Sequence, residues 1–304
     1  LQLFQTRFLF DLVLTVVGIM LEAFSDLSDF PQLNEISAVR NLYEPLHELE
    51  ERSVSGRLLT NIFAGGTVDT EWGYLTGYSE HEEFRSPVNT YVRYFKSQGY
   101  DALYRHPGYS WFYNRSNVNE YLGFDECVFN DTGFGDLISI SDALYHSDKV
   151  LVDYLLNDID SRTETDDPLF LFSVSYQNHG PYPSETYWEE YVTPEMNGWS
   201  MQTCCVINNY LAGIRSTINE MCRMTEELEG RDEPIVFVFF GDHKPWMGNG
   251  NSVYTEIGVD LDVSTLEAST ITTQRPTSST RTRRQESCSA ATLPGMAAIS
   301  PPAF

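Results

Sequence analysis

The run Ile235-Val236-Phe237-Val238-Phe239-Phe240-Gly241-Asp242-His243 is an unbroken apolar stretch that stops at a glycine, a carboxylate and an imidazole. Without polar alternation, it reads as a strand covered on both faces, the habit of parallel sheets sandwiched between helices. Other runs share the pattern. Val16-Val17-Gly18-Ile19-Met20-Leu21 ends at Glu22, and Leu169-Phe170-Leu171-Phe172-Ser173-Val174 is soon followed by Asn178-His179-Gly180. Leu58-Leu59-Thr60-Asn61-Ile62-Phe63 leads into Ala64-Gly65-Gly66-Thr67, and a short strand over 100–104 precedes His106. Helical patterns over 36–52, 87–98, 147–159 and 202–229 separate these runs. The alternation predicts an α/β fold with a mostly parallel central sheet and helices on both faces. In such sheets ligands bind beyond the carboxyl ends of the strands, so Glu22, Thr67, His179, Asp242 and His243 are expected to meet at one edge.

Each of these residues has a structural and a chemical reading. Gly65-Gly66 permits positive φ and close approach of a substrate, which makes Thr67 either part of an ordinary turn or a nucleophile. Asp242 and His243 either cap a turn or offer a hard oxygen and an imidazole nitrogen to Mn²⁺, Mg²⁺ or Zn²⁺. A cation held by Glu22, Asp242, His243 and the Thr67 oxygen would lower the hydroxyl's pKa. His106 and His179 are either turn histidines or site residues, and His179 follows the better strand. Arg115 offers a planar fork for an oxyanion, or pairs at the surface with one of many carboxylates.

Composition excludes one class of partner. The 304 residues carry a formal net charge of −25, against the basic footprint that nucleic-acid binding needs. Any anionic substrate therefore requires local positive charge. The five cysteines suggest no disulfide framework: on one predicted helix Cys205 and Cys222 stand about 25 Å apart, too far to bridge. The apolar stretch over 8–21 is too short to span a bilayer and reads as a first strand. The expected organisation is an irregular segment over 1–11, a catalytic domain over 12–267, and a disordered Ser/Thr/Arg-rich tail over 268–304.

Taken together, the blocks resemble the lipoteichoic-acid synthase-like, phosphoglycerol-transferase branch of the sulfatase and alkaline-phosphatase superfamily. Leu21-Glu22-Ala23-Phe24-Ser25-Asp26 is similar to its first metal motif, and Gly65-Gly66-Thr67-Val68-Asp69 to its nucleophile motif. Tyr113-Asn114-Arg115, Gln177-Asn178-His179-Gly180-Pro181 and Gly241-Asp242-His243-Lys244-Pro245 resemble three further blocks in family order. The resemblance implies Glu22, Thr67, Asp242 and His243 as ligands of one divalent ion, with Mn²⁺ ahead of Mg²⁺ or Zn²⁺. It implies Thr67 as nucleophile, and Arg115 and His179 as phosphate contacts. It further implies a phosphatidylglycerol-type lipid donor, a polymer or glycan acceptor, and a domain outside a bacterial cell membrane, anchored through a region absent from this chain. The formylglycine motif of sulfatases proper is missing around Thr67. After Glu267 the likeness stops, so the C-terminal part of the domain is expected to be incomplete. Two other readings stand beside this one: a phosphodiesterase or sulfuric ester hydrolase that passes the group to water, and a catalytically silent truncated fragment.

Overall fold

The computed structural model describes residues 15–60, 62–79, 83–137, 147–163, 167–262 and 274–281. Its strands are β1 (Thr15–Leu21), β2 (Val54–Leu59), β3 (Asp101–Arg105), β4 (Glu126–Val128), β5 (Leu169–Val174), β6 (Ile235–Gly241) and β7 (Gln274–Arg281). Its α-helices are α1 (Pro31–Asn34), α2 (Ser37–Glu51), α3 (Thr67–Thr76), α4 (Tyr91–Ser97), α5 (Arg115–Leu122), α6 (Asp148–Thr163), α7 (Pro194–Asn197), α8 (Met201–Glu229) and α9 (Ser252–Glu256). Among the described residues the strands form one sheet in the order β2-β7-β6-β1-β5-β3-β4. The pairs β6-β1, β1-β5, β5-β3 and β3-β4 are parallel, and β7 runs antiparallel to both of its neighbours.

Alternation along the strands sorts the core into two layers. Val17, Ile19, Leu21, Leu171, Phe237 and Phe239 belong to the apolar cluster that contains Leu46 of α2, Leu155 of α6 and Ile214 of α8. Met20, Phe170, Phe172, Val174 and Phe240 share the other cluster with Trp72 of α3, Val92 of α4 and Leu122 of α5. Helices therefore cover both faces, as the unalternating runs predict. The long helix α8 starts where the Ser200 side chain accepts from the Thr203 N–H, and its buried stripe Ile207, Leu211, Ile214, Ile218, Met221 follows helical spacing. Among the described residues no helix is long and apolar enough to cross a membrane.

Three expectations need correction. The strand placed over 58–63 lies at Val54–Leu59 and is a largely exposed sheet edge rather than a buried strand, with Val54 80% exposed. Helices α3 and α5 and strand β4 carry no strong periodicity and were not expected. The tail over 268–304 contributes β7, which fills the position beside β6; its other residues, like those over 1–11, lie outside the described residues. Hydroxyls rather than apolar side chains seat this strand: Thr277 Oγ1 donates to the Phe239 carbonyl, Ser279 Oγ donates to the Val54 carbonyl, and buried Ser278 bonds Ser53. The free cysteines at 127, 204, 205 and 222 agree with the absence of a disulfide framework among the described residues.

The parallel register sets the ends of β1, β5 and β6 side by side. Ser175 N–H donates to the Met20 carbonyl, and Asp242 N–H donates to the Leu21 carbonyl. This crossing tolerates no side chain at Gly241, where a Cβ would lie 2.1 Å from the Phe24 carbonyl oxygen. Gly241→Ala is therefore expected to lower the unfolding free energy by about 1–3 kcal/mol in urea denaturation, the usual range for overpacking. An unchanged midpoint would contradict this packing.

Candidate metal centre and cleft

Two strand ends and one helix start build the centre. Glu22 follows β1, with its N–H bonded to Ser175 Oγ at 2.9 Å. Asp242 and His243 follow β6, and Thr67 opens α3. The turn before Thr67 is left-handed at Ala64, Gly65 and Gly66, and the Ala64 N–H donates to the Lys244 carbonyl, tying it to the loop after β6. All four side chains are buried.

Thr67 Oγ1 lies 3.4 Å from Glu22 Oε2 and 3.3 Å from His243 Nε2. His243 Nε2 lies 3.5 Å from Glu22 Oε1 and 3.3 Å from Asp242 Oδ2. One ligand atom from each of Glu22, Asp242 and His243 can be chosen so that all lie within 4.8 Å of one another. The remaining bonds orient them. Asp242 Oδ1 accepts from the Ala23 and His243 N–H groups, which leaves Oδ2 buried with no hydrogen-bond partner. His243 Nδ1 is 3.0 Å from the Lys244 carbonyl, an acceptor only, so Nδ1 carries the proton and the Nε2 lone pair faces the carboxylates. Burial, with Asp242 beside it, pushes the Glu22 carboxyl well above the ordinary carboxylate range. Two carboxylates, an imidazole and a hydroxyl with an orphaned buried oxygen fit a divalent cation, whose charge offsets the cost of burying them.

A cleft of about 290 Å³ opens over this centre and is lined by Glu22, Thr67, His243, Arg115, His179 and His106 among others. The structure thus brings every expected site residue to one place. Arg115 is not a surface arginine: it is 2% exposed, its Nη2 donates to Glu71 Oε2 at 2.9 Å, and its Nε donates to Tyr104 Oη at 3.0 Å. The Tyr104 hydroxyl in turn donates to Glu71 Oε1. Burial works against the guanidinium charge, but Glu71 and Tyr104 outweigh it and hold the pKa above its usual range. Glu71 and Tyr104 were missed in the sequence. Glu71 stands one helical turn after Thr67 on α3, and that i, i+4 spacing was the available signal.

His179 Nδ1 donates to the Gly180 carbonyl at 2.7 Å, and His106 Nδ1 donates to the Val174 carbonyl at 2.9 Å. Behind His179 runs a buried polar chain, in which Asn178 Nδ2 donates to Thr217 Oγ1 and the Thr217 hydroxyl donates to Asp148 Oδ2. Asp148 is 1% exposed and its Oδ1 has no hydrogen-bond partner. Burial, reinforced by Glu220 and partly countered by Thr217, pushes its carboxyl up to about 7.

A sequence profile of the family described as Sulfatase matches residues 15–265. A Rhizobium meliloti (strain 1021) protein named for cyclic beta-1,2-glucan modification is 26% identical over 253 residues, covering 80% of this chain and 37% of that protein. The chain thus spans little more than a third of this relative. Among solved structures, the lipoteichoic acid synthase LtaP from Listeria monocytogenes superposes with a TM-score of 0.65 at 16% identity, covering 87% of this chain and 64% of that one. The Streptococcus pyogenes phosphoglycerol transferase GacH, in complex with sn-glycerol-1-phosphate, gives 0.61 at 19% identity, with 88% and 68% covered. At these identities the likeness to both establishes the fold.

Two outcomes are expected from this geometry. At free Mn²⁺ one hundred times its Kd, a ligand of the folded state alone raises the unfolding free energy by about 2.7 kcal/mol. Asp242→Asn, which keeps the Oδ1 acceptor and replaces the orphaned oxygen, should abolish that gain in thermal or urea unfolding; a full Mn²⁺ effect in the variant would exclude Asp242 as a ligand. The second outcome concerns pH. An unfolded Asp titrates near about 3.9, so between there and neutrality folded Asp148 retains a proton that the unfolded chain has lost. Its contribution is therefore full at low pH and declines as pH rises, by up to about 1.4 kcal/mol per pH unit. Asp148→Asn should flatten that part of the stability profile in metal-free protein, and parallel profiles would refute the buried acid.

Proposed function

The chain belongs to the sulfatase family, and on that premise we propose that it is a metal-dependent transferase that moves a phosphoglycerol group from a phosphatidylglycerol-type lipid, through a covalent Thr67 intermediate, to a glycan or glycerol-phosphate polymer. The observation that carries this reading is the position of Thr67 Oγ1, 3.3 and 3.4 Å from two ligand atoms of the centre. Thr67 also sits at the N-terminus of α3 in a cleft lined by Arg115 and His179. A threonine hydroxyl there, with no formylglycine motif around it, supports phosphoryl over sulfuryl transfer. The phosphoglycerol transferase name of one structural neighbour and the glucan-modification name of one relative support the donor group and the acceptor class.

In this mechanism Glu22, Asp242 and His243 would hold a divalent ion, with the orphaned Asp242 Oδ2 and the His243 Nε2 available to it. When bound, a divalent cation supplies positive charge beside the Thr67 oxygen and favours its deprotonated form. Thr67 Oγ1 attacks phosphorus, the Oγ1–P bond forms, and the bond from phosphorus to the diacylglycerol oxygen breaks; that oxygen leaves with a proton as diacylglycerol. An acceptor hydroxyl then attacks the phosphoryl-threonine, loses its proton, and restores the Thr67 hydroxyl. Arg115 directs its fork at the non-bridging oxygens because Glu71 and Tyr104 fix its orientation. His179 takes a further oxygen, and the first N–H groups of α3 add the positive end of a helix dipole. In this reading the enzyme works on the outer face of a bacterial cell membrane, where its lipid donor resides, and uses Mn²⁺. Transfer to water in place of a glycan differs only in the second step.

Incubation with Mn²⁺ and phosphatidylglycerol, followed by peptide mass mapping, should show a phosphoglycerol adduct on the Thr67 peptide. Thr67→Ala should remove the adduct and the diacylglycerol release while leaving the fold intact. An adduct that survives the substitution, or none in a wild-type protein shown to be folded and stabilised by Mn²⁺, would overturn the proposal.

A further inference from the structure

Beside the cleft the segment Tyr109-Ser110-Trp111-Phe112-Tyr113 presents four exposed aromatic rings in succession, with Trp111 67% and Phe112 37% exposed. We propose that Tyr109, Trp111 and Phe112 form a membrane-docking ridge that seats in the interfacial layer of a lipid bilayer and holds the cleft mouth against it. The use made of this docking, delivery of a lipid phosphate to Thr67, rests on the function proposed above; the docking itself rests on the ridge.

Composition is the first argument. Residues 107–114 contain no charged side chain. The neighbouring carboxylate Asp131 is tied down, with Oδ1 accepting from the Ser110 N–H and Oδ2 from the Ser110 hydroxyl. Trp and Tyr with Phe between them is the mixture that settles at the boundary between headgroups and acyl chains. The second argument is rigidity. Tyr113 holds left-handed backbone at φ 56°, a conformation that a bulky aromatic residue keeps only where the surroundings fix it, and Asn114, which adopts that region readily, continues the turn. The rings brace one another: Tyr109 stacks on Trp111 at 5.8 Å, Trp111 meets Phe112 edge-on at 5.9 Å, and Phe112 meets Tyr113 at 4.5 Å. A pre-ordered ridge loses little conformational entropy on insertion.

Continuity with the site is the third argument. Phe112 of the ridge and the adjoining Tyr113 also line the cleft, as does half-exposed Trp246. The same backbone turn that displays the rings leads directly into Arg115 at the start of α5, whose buried guanidinium lies over the Tyr113 ring, 5.3 Å from its centroid. The mutual packing of the rings also separates a bilayer from a sugar chain as the occupant. Sugar stacking needs an open flat face, whereas here successive rings occupy one another's faces and edges, and Phe112 has no polar handle for a hydroxyl. With a net charge of −25, the contact is carried by apolar insertion and not by attraction to anionic lipid.

The test is flotation of the whole chain with phosphatidylcholine vesicles at physiological salt, without metal, for wild type and the double variant Y109S/W111S, two exposed rings that do not line the cleft. Wild type should float with the vesicles, and the variant should lose about tenfold or more of its partitioning, as removal of two interfacial rings implies, with an unchanged melting temperature. Absence of wild-type flotation, equal flotation of both proteins, or binding that requires anionic lipid and vanishes with salt would overturn the proposal. So would ridge-dependent binding of a soluble β-glucan oligosaccharide without vesicle binding. Flotation involves neither Thr67 nor metal, so failure of the transferase reading leaves this result intact. Adduct formation from a monomeric short-chain phosphatidylglycerol should likewise be unaffected in the variant, which separates docking from chemistry.

Discussion

The centre depends on the end of β6 being pressed against the end of β1. Gly241 lets the Phe24 carbonyl approach to a distance that a Cβ would forbid, and the Asp242 N–H then closes the ladder on the Leu21 carbonyl. From that crossing Asp242 Oδ1 reaches two backbone N–H groups, Ala23 and His243, one on each side of the joint. A single carboxylate oxygen thus fixes the second residue beyond each strand, and its other oxygen lies 3.3 Å from His243 Nε2 beside Glu22. The ligand geometry is a consequence of sheet register, not of a flexible loop finding its partners.

A site built this way concentrates negative charge where water is scarce. Glu22 and Asp242 are both buried, and the raised Glu22 carboxyl expresses the cost of that arrangement. Arg115 is the nearest structural answer, yet Glu71 and Tyr104 already claim two of its nitrogens, which makes it a pre-oriented fork more than a counter-ion for the carboxylates. The remaining demand is for positive charge at the point where Glu22, Asp242, His243 and Thr67 converge. The net charge of −25 makes the same point at larger scale, since any anionic substrate would have to be met by charge held locally within the cleft.

Much of this was legible in the sequence, for a physical reason. Strands β1, β5 and β6 are buried on both faces and therefore wrote themselves as unbroken apolar runs, and the polar residues just past their ends were the site. Thr67 was visible through the glycines that its turn needs. Arg115 could be read either way, because the partners that bury it, Glu71 and Tyr104, lie in elements far apart in sequence. Strand β2 was misplaced because an exposed edge strand has no apolar signature, and the apolar residues after it belong to the approach to the turn. Strand β7 was invisible because its Ser and Thr side chains hydrogen-bond to backbone carbonyls and to Ser53 rather than fill an apolar core, which is also why its segment looked like a tail.

The central claim is that Glu22, Asp242 and His243 bind one cation against the Thr67 oxygen. It is tested most directly by a crystal structure of the Mn²⁺-soaked protein with anomalous data collected at the manganese edge. The account predicts a single strong anomalous peak bounded by Glu22, Asp242 Oδ2, His243 Nε2 and Thr67 Oγ1. A peak elsewhere, or a centre in which the Asp242 Oδ2 is satisfied by protein or water with no ion present, would contradict it.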